Sequence, residues 1–214
     1  MKTDDLIATL AADITPAPRG GLKLWLGLAC AAALVLAVAL LAAWLGVRPD
    51  LMLALRLKSF WMKAGYTGWL AVAAFVAVTR LARPGARLGA ALWLAILGVL
   101  AMTMMGGVRL MAAPPAERMH DWMGHSWNFC PFLIMGVSAP AFAAIVWAVR
   151  RYAPTRLRLA GAGAGLLAGA IGAAVYGLLR CNETTAAFVA TWYTLGIAVC
   201  AAVGAVLGPR LLRW

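Results

Sequence analysis

Apolar residues fall into six long runs, near positions 22–47, 63–79, 88–106, 132–149, 159–179 and 187–207, separated by short polar connections. Most approach the roughly 20 helical residues that cross the hydrocarbon core of a bilayer. None alternates with period two, so the runs read as helices rather than barrel strands. The pattern predicts an all-α polytopic membrane protein. It consists of a bundle of six transmembrane helices over residues 22–208, a tail over residues 1–21 and a short C-terminal tail over residues 209–214.

Composition agrees. Hydrophobic residues make up 64% of the 214 positions and charged residues 12%, too little polar surface for a soluble domain of this size. The net charge of +12 would suggest nucleic acid in a soluble protein. In a membrane protein its distribution is what matters. With the N-terminus inside, 12 of the 19 Lys and Arg residues fall in cytoplasmic segments, and the others, such as Arg48, Lys63 and Arg180, fall outside. This bias puts both termini in the cytoplasm. The basic residues then serve topology and anionic lipid headgroups, with no direct nucleic-acid contact. The first run is too long for the apolar core of a signal peptide and reads as a retained anchor.

Past their flanking positions the runs contain no Asp, Glu, Lys, Arg or His, which disfavours a transporter, pump or channel. The fifth run carries Gly161, Gly165 and Gly169, and the sixth Gly196, Gly204 and Gly208. This spacing of four gives each helix a smooth strip for close backbone approach. Cys200 lies in the second strip, and Cys200 and Cys30 both read as packing residues.

The tail holds an amphipathic pattern. Thr3 can cap a short helix whose first turn Asp4 and Asp5 complement. Leu6, Ile7, Leu10 and Ile14 form an apolar stripe that Pro16 ends. A helix this short is marginal alone in water. Its acidic residues have the wrong sign for an anionic membrane surface, so the tail reads as a docking element for a protein groove.

The candidate chemistry lies in two polar connections, HDWMGHSWNFCP (120–131) and RCNETT (180–185). Counting from Arg150 back to Cys130, and from Arg158 on to Cys181, gives about 30 and 34 Å of helix. Both cysteines therefore emerge at the outer interface, where thiols can oxidise and soft metals arrive. Three readings stand side by side. Cys130 and Cys181 form a reversible disulfide. Alternatively, they hold a copper or zinc ion reversibly together with His120 and His125, although the spacing matches no zinc pattern. The third reading is that the cysteines are structural. No cofactor is required in any of them. Arg48 to Trp61 reads as an interfacial stretch with aromatic anchors, and Glu117 and Asp121 as solvated loop charges. No Ser-His-Asp order, phosphate loop or Cys-X-X-Cys pair is present. The chain therefore reads as a non-enzyme. The catalytic alternative is a membrane thiol-disulfide oxidoreductase using the outer cysteines.

The segments MKTDDLIATLAAD, RPDL, HSWNFC, RCNETTAAFVATW and LGPRLLRW resemble the NrsF family along essentially the whole chain. These are bacterial inner-membrane anti-sigma factors that hold extracytoplasmic-function sigma factors. The resemblance implies a sigma factor as partner, bound through Thr3, Asp4, Asp5, Leu6, Ile7 and Leu10. It also implies that Cys130 and Cys181 are the periplasmic residues needed to respond to metal or oxidative stress.

Overall fold

The computed structural model describes residues 21–83 and 88–213, together with Thr3 and Asp5 of the tail. The described residues form helices and no strands. In chain order these are α1 (Gly21–Trp44), α2 (Leu51–Ala54), α3 (Lys58–Leu81), α4 (Ala90–Ala112), α5 (Pro115–Met123), α6 (Cys130–Arg150), α7 (Leu157–Leu179) and α8 (Ala186–Leu211). Six of them, α1, α3, α4, α6, α7 and α8, are long and apolar enough to cross a membrane. The first, fifth and sixth correspond closely to the apolar runs.

Two helices exceed their runs. α3 begins at Lys58, and α4 continues through Arg109 to Ala112. Lys63, the first position of its predicted run, therefore lies more than a turn inside the helix, buried at 3% exposure at the level of Cys181. A buried cation is tolerated there because the end of α7 supplies it with acceptors. Hydropathy also passes over α5, which runs from Pro115 in its first turn to Gly124 just beyond its end.

α7 is the hub. Alanine and glycine cover most of its surface, so α1, α3, α6 and α8 can all pack closely on it. The approach to α8 is the tightest. A methyl group at Gly161 would overlap the Gly204 carbonyl oxygen, and one at Gly165 would overlap that of Cys200. Gly161, Gly165 and Gly169 thus face the Cys200–Gly208 part of the second predicted strip within one chain, as small-residue packing of membrane helices requires, whereas Gly196 lies against Ile134 of α6. Cys30 and Cys200 are half-buried against neighbouring helices. By contrast, α4 lies at the edge of the bundle, with Trp93, Met104 and Val108 on its exposed surface.

α8 opens with a π-helical turn over Val189–Tyr193. The wider turn directs Trp192 toward α5 and Tyr193 into the core, a local irregularity of the kind that often marks functional sites. An even number of crossings returns the end of α8 to the face from which α1 starts. Cys130 opens α6 and Cys181 follows α7, so both cysteines stand at the opposite end of the bundle, here called the cysteine face.

Candidate functional site at the cysteine face

Both thiols are buried, Cys130 at 0% and Cys181 at 3% exposure, and all four cysteines of the chain are free. Cys181 lines a cavity of about 520 Å3, shared with Leu45, His125, Phe129, Tyr176 and Glu183. Cys130 does not line it. The two cysteines, Lys63 and Glu183 lie within electrostatic reach of one another. The Tyr193 hydroxyl is buried near Cys181 and has no hydrogen-bond partner among the described residues. A buried polar atom left in this state is costly and marks the polar centre of an otherwise apolar bundle.

The connection around Cys181 is held by cations from two distant elements. The Lys63 ammonium donates to the Cys181 carbonyl at 2.9 Å and to that of Gly177 at 3.3 Å. Arg48 Nη1 donates to the same Cys181 carbonyl at 3.4 Å, and the Arg48 backbone N–H to Leu179 O at 2.9 Å. These carbonyls terminate α7, where the helix dipole favours positive charge. Arg48 also grips Asp50 through Nε and Nη2, at 2.8 and 2.6 Å. The guanidinium holds the Asp50 carboxyl below the usual carboxylate range, and the carboxylate raises Arg48 in turn. The stretch that sequence alone assigns to the membrane interface thus supplies a buried arginine to the site. The interfacial reading is corrected for Arg48, whose 8% exposure reflects its ion pair and carbonyl acceptors. Trp61 remains exposed.

The connection that precedes Cys130 is stitched to the one that follows Cys181. Glu183 Oε1 accepts the His125 N–H at 2.8 Å and the Ser126 hydroxyl at 3.2 Å. Thr185 donates to Asp121 O, Trp122 to Thr191 and Trp192 to Trp122 O. Gly124 makes the approach feasible. It adopts φ of +57°, and a methyl group there would overlap the Glu183 carboxylate and the Phe188 ring.

The residues nominated as metal donors divide into two pairs. The His120 and His125 rings stack edge to face at 4.6 Å on the exposed surface, whereas the two thiols are buried. Among the described residues, no three His, Cys, Asp or Glu side chains converge to hold a metal ion. As placed, these donors do not form a metal centre. Of the tail residues, Thr3 and Asp5 are helical and exposed; Asp4, Leu6, Ile7 and Leu10 lie outside the described residues. Glu117 is exposed. Sequence reasoning misses Arg48, Lys63, Glu183, Tyr176 and Tyr193 as neighbours of the thiols. The one available signal is Lys63 itself, a lysine between Trp61 and Tyr66 at the head of an apolar run, which demands a buried partner.

Residues 10–214 match the family described as "Negative regulator of sigma F". The chain belongs to the NrsF family. A relative from Azospira oryzae, named "Probable anti-sigma-F factor NrsF", is 45% identical over 221 residues and covers both chains in full. The "Anti-sigma-F factor NrsF" of Caulobacter vibrioides is 40% identical over the same length, again with full coverage of both. No solved structure matches the chain.

Proposed function

We propose that this chain is a non-enzymatic anti-sigma factor of the bacterial inner membrane. Its tail, residues 1–21, holds an extracytoplasmic-function sigma factor in the cytoplasm and away from core RNA polymerase. Its cysteine face lies in the periplasm and triggers release. What carries the sigma-binding role is the end-to-end likeness to two proteins named anti-sigma-F factors. The charge bias of the connections supports the orientation.

For the sensing step, the disposition of donors favours thiol oxidation over metal capture. A metal site would need the surface histidines to swing inward, whereas a disulfide draws only on the two thiols, both buried and within electrostatic reach of each other. A two-electron oxidant such as hydrogen peroxide enters the cavity and meets Cys181 first. The Cys181 thiolate attacks one peroxide oxygen and becomes a sulfenic acid, and hydroxide leaves. The Cys130 thiolate then displaces the sulfenic hydroxyl, which departs as water on protonation, and the S–S bond forms. The reaction consumes two thiols and one peroxide and yields one disulfide and two waters.

Co-purification from membranes tests the output. The intact chain is compared with one lacking residues 2–14, and the recovered proteins are identified by mass spectrometry. A sigma factor that accompanies the intact chain and is lost with the tail supports the reading. Recovery of no tail-dependent sigma factor from unstressed cells overturns it.

A further inference from the structure

We propose that Arg48 and Lys63 are positioning residues that carry a change at Cys181 to α1, and through α1 to the tail. The inference rests on the sensing role proposed above and supplies its transmission step. Lys63 makes no ion pair among the described residues. Its buried charge is compensated by the carbonyls of Gly177 and Cys181. Arg48 has a carboxylate in Asp50 but also reaches the Cys181 carbonyl. One carbonyl oxygen thus receives a cation from α3 and another from the segment that directly follows α1. If Cys181 shifts to bond with Cys130, its carbonyl moves with it, and both buried cations must follow or lose an acceptor. Lys63, with no carboxylate partner, would keep only the Gly177 carbonyl, so following is its cheaper course; Arg48 keeps Asp50 but is drawn along by its backbone N–H on Leu179 O.

α1 is suited to convey that movement. Its 24 residues make a rod of about 36 Å, and its first residue, Gly21, is the last of the tail. Near that end, the Arg151 guanidinium lies 5.0 Å from the Trp25 ring centroid and 4.0 Å from that of Trp147. Such cation–π contacts join α1 to the end of α6. α6 is the helix that begins with Cys130. α1 is therefore held along the helix bearing Cys130, from Trp25 beside Arg151 to Trp44 against Gly136, while its C-terminal end is also tied to the segment bearing Cys181. A bond between the two cysteines displaces the two elements that hold α1 relative to each other.

The test uses the full chain with its sigma factor in membrane vesicles, exposed to hydrogen peroxide. The chains are wild type, Arg48→Gln, Lys63→Met and Lys63→Arg. Two readouts are taken: the thiol state of Cys130 and Cys181, by a maleimide mass shift, and the sigma factor retained on the vesicles. We expect Arg48→Gln and Lys63→Met to form the disulfide while release falls at least tenfold, and Lys63→Arg to release like wild type. Arg48→Gln keeps Lys63 and Asp50 in place, so it serves if Lys63→Met does not accumulate. Release equal to wild type in either uncharged variant overturns the coupling alone. Loss of the disulfide in both uncharged variants also overturns it, by putting the cations upstream of the thiols. A wild-type chain that forms the disulfide and keeps its sigma factor overturns the sensing role, and the coupling with it.

Discussion

The Glu183 carboxylate accepts the backbone N–H of His125 at 2.8 Å, although 58 residues separate them. With the Ser126 hydroxyl on the same oxygen, this contact fastens the connection before Cys130 to the one after Cys181. Hydrogen bonds to a charged acceptor contribute about 1.5–3 kcal/mol each when well sheltered, and Glu183 is largely buried. Glu183→Ala should therefore lower stability by about 1–3 kcal/mol, read as an earlier thermal unfolding in detergent. Glu183→Gln, which keeps one acceptor oxygen, should lose less. Equal melting of all three chains would show that the two connections are held by the tryptophan and threonine contacts alone.

The α7–α8 interface makes a second prediction because its contacts are backbone against backbone. A side chain at Gly204 would meet the Gly161 carbonyl oxygen and the Gly165 Cα, neither of which can rotate away. Overpacking of a core typically costs about 1–3 kcal/mol, and contact with backbone should put Gly204→Leu at or above that range. Gly27→Leu is the control, since no heavy atom lies within 4 Å of its Cβ position; it should change stability by less than about 0.5 kcal/mol. Circular dichroism melts and size-exclusion profiles of both variants in detergent decide the matter.

The glycine strips of this interface are legible in the sequence because their spacing of four is itself the packing surface. The six spans are legible because each crossing demands a long apolar run, and hydropathy responds to that demand directly. Helix ends are harder. α3 and α4 run on through Lys63 and Arg109, and hydropathy stops at charge while a helix continues wherever its side chains find partners. α5 escapes notice despite a proline start and a glycine stop, because its apolar residues are too few to stand out between charges. The common face of the two cysteines follows from helical rise alone. The cations around Cys181 do not, since Lys63 and Arg48 reach it across 118 and 133 residues of chain, and only tertiary packing brings them together.

The thiols themselves offer the most direct test, because their surroundings differ. Cys181 lines the cavity and Cys130, fully buried, does not, so an oxidant should convert Cys181 first and Cys130 should resolve the product. In Cys130→Ser, peroxide should leave Cys181 as a sulfenic acid that dimedone traps, since no second thiol is present to displace its hydroxyl. In Cys181→Ser, dimedone labelling of Cys130 should be at least tenfold weaker than that of Cys181 in Cys130→Ser, because Cys130 is fully buried and does not line the cavity. Both single variants and the double variant should keep the sigma factor bound in unstressed cells and fail to release it under oxidant. Serine preserves the size of each side chain, so a silent sensor is the expected phenotype rather than a misfolded one. Constitutive sigma activity in the double variant would instead assign the cysteines to holding the repressing state, and labelling of Cys130 ahead of Cys181 would reverse their order in the reaction.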